Sequence, residues 1–114
     1  MSEYPPDRTP ILSDFASDPD MRDLVEMFVM EMPQKVTIME SAMAESRWDI
    51  LRRIAHQMKG AAGGYGFAVV SESAGHLEQQ LLRTSAPSDE QAIQAVRQQV
   101  DELVELCRRV SSAA

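Results

Sequence analysis

The chain has 114 residues, of which 44% are apolar and 25% charged, which fits one globular domain of ordinary composition and leaves no room for two cores. Its net charge of −7 disfavours non-specific binding to nucleic acid or to an anionic membrane, because both attract a basic surface. No apolar run approaches the ~20 residues that span a bilayer, and Cys107 is the only cysteine, so an intramolecular disulfide is excluded and a cytoplasmic location is expected.

The first residues are expected to lie outside the helical core. Residues 1–9 hold two adjacent prolines and little to bury, so an extended arm is predicted there. Residues 10–16, PILSDFA, are predicted to form either a short helix or an apolar plug that docks on the rest of the molecule. Its docking side chains are Ile11, Leu12 and Phe15. The globular domain is therefore placed at residues 10–112, as a single unit.

The first long amphipathic segment begins at about residue 18. Asp18 followed by Pro19 has the pattern of a helix N-cap and a first helical position. Apolar residues then recur at spacings of three and four, which predicts one buried helix face. That face consists of Leu24, Phe28, Met32, Val36, Met39 and Met43, and Val25 and Val29 widen it. Pro33 lies within the segment, and because proline lacks a backbone donor, a kink or a local break is expected there.

Three further amphipathic segments follow. Residues 46–49 and 88–91 each have the spacing of a capping box, so they are predicted to start the second and fourth helices. A third helix is expected at about 68–83, with a turn at 85–88 after it. The predicted buried stripes are Leu51, Ile54 and Met58 in the second helix, Val70, Ala74, Leu77 and Leu81 in the third, and Ile93, Val96, Val100, Leu103, Cys107 and Val110 in the fourth.

Together the segments predict an all-α fold. No stretch alternates polar and apolar residues as a half-buried strand does. Four amphipathic helices joined by short loops indicate an antiparallel four-helix bundle in up-down-up-down order. The eight methionines are interpreted as core residues that fill gaps, not as a metal or redox site.

One stretch of the second helix, AHQMKGAAGGYGF at residues 55–67, combines a histidine with four of the five glycines. His56 follows Ile54 by two positions, about 200° around the helix, so it is predicted to point to solvent. Its neighbours on that face, at spacings of three, four and seven, are Arg52, Arg53, Lys59, Gly60 and Gly63. The imidazole is therefore expected in a locally positive field, beside helix positions that have no side chain.

This combination suits a histidine that accepts a phosphoryl group from another protein. A neutral imidazole nitrogen is a competent nucleophile near neutral pH, and Lys59 can steady the phosphate oxygens as a point charge. Each interior glycine costs a helix ~1 kcal/mol relative to alanine, so two on an exposed face suggest close approach by a partner. The alternative from spacing alone is an ordinary surface histidine on a solvated basic face, with glycines that mark a helix end.

Other chemistries have less support. His76 lies twenty residues after His56, but the two histidines lack a clear set of carboxylate partners for zinc, so no metal site is predicted. The order Lys59-Gly60 is wrong for a phosphate-binding loop and no strand precedes it, which argues against nucleotide binding. Glu78 is interpreted as structural or as a mild polar neighbour of the histidine.

A short motif carries a family resemblance. AHQMKG at residues 55–60, a glycine at residue 66 and Leu-Glu at residues 77–78 closely resemble the pattern A-H-x-L-K-G, a spacer, G and a later L-E of the histidine-containing phosphotransfer (HPt) domain. Met58 replaces the commoner leucine, a core exchange of similar volume. The resemblance extends over about residues 18–110. The run Gly-Gly-Tyr-Gly-Phe departs from the pattern and leaves the end of the histidine helix open within residues 63–67.

The resemblance implies a four-helix bundle, in some members with a short extra N-terminal helix, that carries phosphate and has no kinase activity of its own. It implies His56 as the phosphoryl acceptor, Lys59 as its electrostatic support, and Gly60 and Gly66 as small positions near the site. The implied partners are receiver domains of response regulators and of a hybrid histidine kinase. Because the receiver supplies Mg²⁺, no cofactor and no metal are expected on this chain.

The leading hypothesis is therefore a monomer that relays a phosphoryl group between receiver aspartates in a multistep phosphorelay. Its expected partner-binding residues are Arg52, Arg53, Gly60, Gly63 and Gly66. The alternative is a helical interaction module that binds receiver domains or another partner without phosphotransfer. Neither nucleic acid nor a membrane is an expected partner.

Overall fold

The computed structural model describes residues 9–84 and 87–112, which form an antiparallel four-helix bundle. The elements are β1 (Ile11–Leu12), α1 (Arg22–Ala44), α2 (Trp48–Gly64), α3 (Ala68–Thr84), α4 (Glu90–Arg109) and β2 (Val110–Ser111). Each helix packs against the next one in sequence, and α1 closes the ring against α4. The predicted all-α, up-down-up-down bundle is confirmed. The arm predicted at residues 1–9 lies outside the described residues except for Thr9, as do residues 85 and 86 of the predicted turn.

The apolar stripes of the helices meet in one core. Every helix contributes residues with no exposed surface, among them Met39, Leu51, Leu77 and Leu103. Where α2 ends, the Phe28 ring lies 5.2 Å from the ring of Phe67 and 5.6 Å from that of Tyr65, measured between centroids. Leu24 was expected in the buried face of α1 but is 41% exposed, because that face passes through Val25 instead.

The methionines do not all have the same role. Met32, Met39 and Met58 are buried in the core, as gap-filling requires. Met27 and Met30 lie exposed on α1, so the interpretation of all eight as core residues is wrong. Their positions fall on the side of α1 that faces away from the other helices, which the periodicity of the buried stripe already places outside the core.

Helix α1 begins later than the sequence pattern indicates. It starts at Arg22, and its N-cap Met21 makes no side-chain hydrogen bond. The predicted cap, Asp18, instead closes a turn: its Oδ1 accepts from the N–H of Asp20 at 2.9 Å, and its carbonyl accepts from the N–H of Met21 at 3.1 Å. The carboxylate is thus engaged before the helix starts. Pro33 does not break α1, which continues through it as one element.

Ser46 ends α1 instead of starting α2. Its φ of 55° is left-handed, its N–H donates to the carbonyl of Met43 at 3.3 Å, and the N–H of Arg47 donates to the carbonyl of Ala42 at 2.8 Å. These two bonds form a Schellman motif, which closes a helix. The capping box predicted at residues 46–49 is therefore wrong, because an N-cap needs an extended backbone that Ser46 does not have.

The second predicted capping box is displaced by one residue. Asp89, not Ser88, is the N-cap of α4, with φ −96° and ψ 160°. Its Oδ1 accepts from the N–H of Ala92 at 2.7 Å. A carboxylate is favoured there because it faces both the unpaired amides and the positive end of the helix dipole. Ser88 and Asp89 are both good capping residues, so the local pattern could not rank them.

Residues 9–17, here called the N-terminal strap, cross one end of the bundle and form no helix. Strand β1 pairs with β2 in parallel, with Ile11 opposite Val110. Ile11 packs against the core, but Leu12 and Phe15 stay exposed. The short helix is therefore wrong. Of the predicted docking side chains, Ile11 packs on the core and the Phe15 ring lies against Gly66, whereas Leu12 does not dock. Two-residue strands are too short to show the alternation by which sequence reasoning finds strands.

Candidate functional site

Helices α2 and α3 place two rows of residues opposite each other. Residues at spacings of three and four lie along one side of a helix. The row on α2 is Arg52, His56, Lys59 and Gly63. The row on α3, which faces it in antiparallel order, is Leu82, Glu78, Gly75 and Ser71.

Small residues bring the two helices together at one end of these rows. The hydroxyl of Ser71 donates to the carbonyl of Lys59 at 2.7 Å. A Cβ added at Gly63 would lie 3.2 Å from that hydroxyl oxygen. The absent side chain of Gly75 leaves room for the stem of Lys59, whose Cδ would lie 3.5 Å from a Cβ there. The glycine thus lets the lysine stem lie along α3 toward the next residue of the row.

That next residue, Glu78, contacts His56. Nδ1 of the imidazole lies 2.7 Å from Oε2 of the carboxylate, and the side chain of His56 is 75% exposed whereas that of Glu78 is 13% exposed. An ionised carboxylate can only accept, so Nδ1 carries the hydrogen of this bond. In the neutral ring Nε2 then holds a lone pair. Because Nδ1 faces α3, the nucleophilic nitrogen is the one that faces away from it.

Lys59 adds a positive charge beside this pair. Its Nζ lies 3.9 Å from Oε1 of Glu78, so the carboxylate stands between the imidazole and the ammonium group. The lysine side chain is itself about half exposed. Ion pairs with an exposed partner contribute only ~0–1 kcal/mol, so little free energy opposes movement of the ammonium toward an anion next to the histidine.

The exposed face of α2 next to His56 has little side-chain cover. Gly60 and Gly64 are exposed, and a Cβ at either would meet nothing within 4 Å. Arg52 and Arg53 are exposed as well, and with His56 they line an open cavity of about 330 Å³. The structure therefore brings four of the predicted partner-binding residues to the exposed side of α2 that bears the histidine. These four are Arg52, Arg53, Gly60 and Gly63.

Gly66 ends the histidine helix. Its φ is 86°, its N–H donates to the carbonyl of Gly63 at 3.3 Å, and the N–H of Phe67 donates to the carbonyl of Ala62 at 2.8 Å. This is a second Schellman motif, here with the glycine that such a position favours. Helix α2 therefore ends at Gly64, within the range that the sequence left open.

Gly66 also binds the N-terminal strap. Its carbonyl accepts from the N–H of Asp14 at 2.9 Å, and a Cβ on it would lie 2.5 Å from the hydroxyl oxygen of Ser13. The residue is buried and lies ten positions from His56, or about 15 Å along a helix. Local chain closure accounts for a glycine at this position, and its place in the partner-binding surface stays a prediction.

Sequence reasoning underrated Glu78 and missed Gly75 and Leu82. All three lie on one side of α3, at spacings of three and four, and that side is the one packed against the histidine. The signal was present in the Leu-Glu pair at residues 77–78, where a buried leucine is followed by an acid at the edge of the buried stripe. An acidic side chain at such an edge is placed to meet the neighbouring helix.

A metal centre finds no support in the part of the chain that the structure describes. Within residues 9–84 and 87–112, no three side chains of His, Cys, Asp or Glu come close enough together to hold an ion. His76, the second histidine, is exposed on α3. None of the described helices combines the length and the apolar character that crossing a bilayer takes.

The surroundings of the lone cysteine indicate a structural role. Cys107 is buried in the core, and its Sγ lies 3.5 Å from Sδ of Met58. Burial raises the pKa of the Cys107 thiol to about 12, because the thiolate would lose its hydration. The group is thus a protonated core side chain at neutral pH.

Comparison with known proteins bears directly on this site. A family model described as Hpt domain matches residues 23–106. The chain belongs to the Hpt domain family. No curated protein and no solved structure matches it. The matched range of the HPt domain includes the two facing rows of α2 and α3, with His56, Lys59 and Glu78. Family membership associates the chain with histidine phosphotransfer in two-component signalling and with receiver domains as partners.

Proposed function

We propose that this HPt domain carries a phosphoryl group on Nε2 of His56 between the aspartates of receiver domains in a multistep phosphorelay. The observation that carries the proposal is the 2.7 Å contact of Nδ1 with Glu78 on a ring that is otherwise exposed. This contact leaves one nitrogen that is both nucleophilic and accessible, and transfer between two proteins requires both properties.

In the transfer step, Nε2 attacks the phosphorus of a receiver aspartyl phosphate in line with the departing carboxylate oxygen. The P–O bond breaks and its electron pair leaves on the aspartate, while the N–P bond forms. The imidazole keeps its Nδ1 hydrogen and becomes positively charged. Glu78, at 2.7 Å, lies next to that charge and stabilises it. The same step in reverse passes the group to the next aspartate.

Lys59 supports the transferred group through its charge. The lysine stem lies over Gly75, and Nζ lies 3.9 Å from Glu78, so the ammonium stands on the same side of α2 as the imidazole. The phosphoryl oxygens bear negative charge throughout the transfer, and a compact ammonium group attracts them. Mg²⁺ comes with the receiver in this proposal, and the chain itself contributes the nucleophile and charge but no kinase activity.

The receiver docks on the exposed face of α2. Gly60 and Gly63 let its backbone approach the histidine closely, because neither has a side chain in the way. Arg52 and Arg53 supply positive charge beside the docking surface. That charge favours a partner whose active-site rim is acidic.

Phosphate transfer from a receiver tests the proposal. A receiver domain that has been phosphorylated beforehand is mixed with the HPt domain, and acid-labile phosphate on this chain is measured. His56→Gln is expected to abolish transfer, because the amide has no nucleophilic nitrogen of this kind. His76→Gln is the matched control: it changes an exposed histidine on α3 and is expected to transfer like the wild type.

Two results would contradict parts of the proposal. A wild-type chain that binds phosphorylated receivers but takes no phosphate from any of them is an interaction module, which is the second candidate function. Incorporation of phosphate from ATP alone, without any partner, would overturn the assignment as a carrier without kinase activity.

A further inference from the structure

We propose that a groove along the contact between α2 and α3 is a specificity subsite for the receiver domain. It binds an aliphatic side chain of the receiver that has carboxylate groups next to it. The inference rests on the proposed function, because it states the chemistry of the same partner. The subsite, here called the seam groove, is formed by Trp48, Asp49, Arg52 and Leu82.

The seam groove is continuous with the histidine. An open cavity of about 330 Å³ is lined by His56 and Glu78 together with Asp49, Arg52 and Leu82. A second cavity of about 270 Å³ shares those last three residues and extends to Trp48. Because the same side chains line both cavities, one groove runs from the phosphoryl acceptor toward the start of α2.

Leu82 provides the apolar contact in this groove. The three residues before it in the α3 row each meet α2: Ser71 binds a backbone carbonyl, Gly75 accommodates a lysine stem and Glu78 binds the histidine. Leu82 comes one turn later and is 50% exposed. Trp48, which packs partly against the core, adds a second apolar wall. An aliphatic side chain of a docked partner would cover this leucine, as apolar groups do at the centres of interfaces.

The rim of the seam groove is positively charged. Among the described residues, Arg52 and Arg53 take part in no ion pair. Asp49 lies 3.7 Å from Arg47, which offsets its charge. Glu78 is engaged by His56 and Lys59. Positive charge therefore collects here on a chain whose net charge is −7. Carboxylates on a partner are attracted to this rim and repelled by most of the remaining surface.

The first test removes the apolar contact. A phosphorylated receiver domain is the donor, and the initial rate of transfer to the HPt domain is measured over a range of receiver concentrations. Leu82→Ser is expected to raise the half-saturating receiver concentration about fivefold, since about half of a leucine side chain would no longer be buried on docking, and to leave the rate at saturation unchanged. Leu24→Ser makes the same change at a leucine on α1 that is 41% exposed, and should alter neither value.

The second test reverses one charge. Arg52→Glu is expected to raise the half-saturating receiver concentration about tenfold at low salt, and the difference from the wild type should shrink as salt screens the charges. Arg97→Glu, on the exposed face of α4, changes the net charge by the same amount and serves as the control. Its half-saturating concentration should stay that of the wild type.

The outcomes separate the seam groove from the proposed function. If the wild type takes up phosphate and both Leu82→Ser and Arg52→Glu have the wild-type half-saturating concentration, the seam groove is refuted and the proposed function stands. A lower rate at saturation for Leu82→Ser, with an unchanged half-saturating concentration, also refutes it, because Leu82 would then support the histidine. If no receiver transfers phosphate to the wild type, the proposed function is refuted. The seam-groove proposal, which rests on that function, is then refuted as well.

Discussion

Glu78 reaches across from α3 to place Oε2 2.7 Å from Nδ1 of His56, while its own side chain stays largely buried at 13% exposed. The imidazole ring of His56 is therefore oriented by a helix other than the one that bears it. Burial restricts the conformations open to the carboxylate. Its hydrogen bond to His56 and its ion pair with Lys59 offset the cost of its partial desolvation. This relationship decides which imidazole nitrogen is available.

Removing the carboxylate should impair transfer and disturb the ring tautomer together. Glu78→Ala is expected to slow transfer at saturating receiver about tenfold or more, because a hydrogen bond to a charged group contributes ~1.5–3 kcal/mol. Glu78→Gln keeps an acceptor without the charge and should fall between Glu78→Ala and the wild type. Imidazole ¹⁵N spectra should show hydrogen on Nδ1 in the wild type and a mixture in Glu78→Ala. An unchanged rate with an unchanged tautomer would contradict the role of Glu78.

Adding a side chain at Gly60 should make the protein more stable while weakening its docking to the receiver. Gly60→Leu is expected to raise the free energy of unfolding by up to ~1 kcal/mol, because glycine is a poor helix former and its Cβ position has nothing within 4 Å. The same change should raise the half-saturating receiver concentration, since it covers the approach to His56.

Gly60→Ala is the control for that substitution, because it adds only a methyl group. Its free energy of unfolding should also rise, but its half-saturating receiver concentration should rise much less. Gly63→Leu is also expected to weaken docking, but a Cβ at Gly63 would lie 3.2 Å from the Ser71 hydroxyl oxygen. Gly63→Leu therefore disturbs the contact between α2 and α3 as well. If Gly60→Leu has the same half-saturating receiver concentration as the wild type, the receiver does not contact this face.

The two left-handed helix ends should respond to substitution with opposite signs. Ser46→Gly is expected to raise the free energy of unfolding by ~0.5–1 kcal/mol, because a non-glycine residue at the observed φ of 55° carries a cost of ~1–2 kcal/mol, partly offset by the greater freedom of glycine in the unfolded chain. Gly66→Ala should lower it by ~2 kcal/mol or more, since its Cβ would also lie 2.5 Å from the Ser13 hydroxyl oxygen. Urea unfolding measures both, and changes of the same sign would refute the account.

Cys107 should be unreactive until the bundle opens. With its pKa raised to about 12 by burial, only ~10⁻⁴ of the thiol is ionised at pH 8, and the thiolate is the nucleophile. A thiol reagent at pH 8 is therefore expected to label the native protein far more slowly than the urea-unfolded chain at the same pH. Equally fast labelling of the two would mean that α4 leaves the core readily in the native state.

Much of the bundle could be predicted from local pattern. The residues Leu51, Ile54 and Met58 are buried as predicted, and His56 is exposed as the 100° step from residue to residue requires. These relationships lie within one helix, whose geometry is the same in any surroundings. Leu24 and Met27 are apolar yet exposed, so apolar character alone does not assign a residue to the buried face.

Helix ends were harder to predict than helix faces. Asp18, Ser46 and Ser88 are all good capping residue types, yet none of them is the N-cap of a helix. In two of these places the backbone had already closed another turn, and at the third a neighbouring aspartate took the position. Capping depends on backbone conformation at one residue, and the surrounding chain sets that conformation.

By itself the sequence determined that a histidine stands on the exposed face of an amphipathic helix, with Lys59 one turn away and glycines beside it. Only the tertiary structure decided that Glu78 holds Nδ1, that Gly75 accommodates the lysine stem and that Leu82 extends the groove. The physical reason is the offset of α3 along α2. Side chains from all four helices set that offset together as they pack, so no single segment of the chain specifies it.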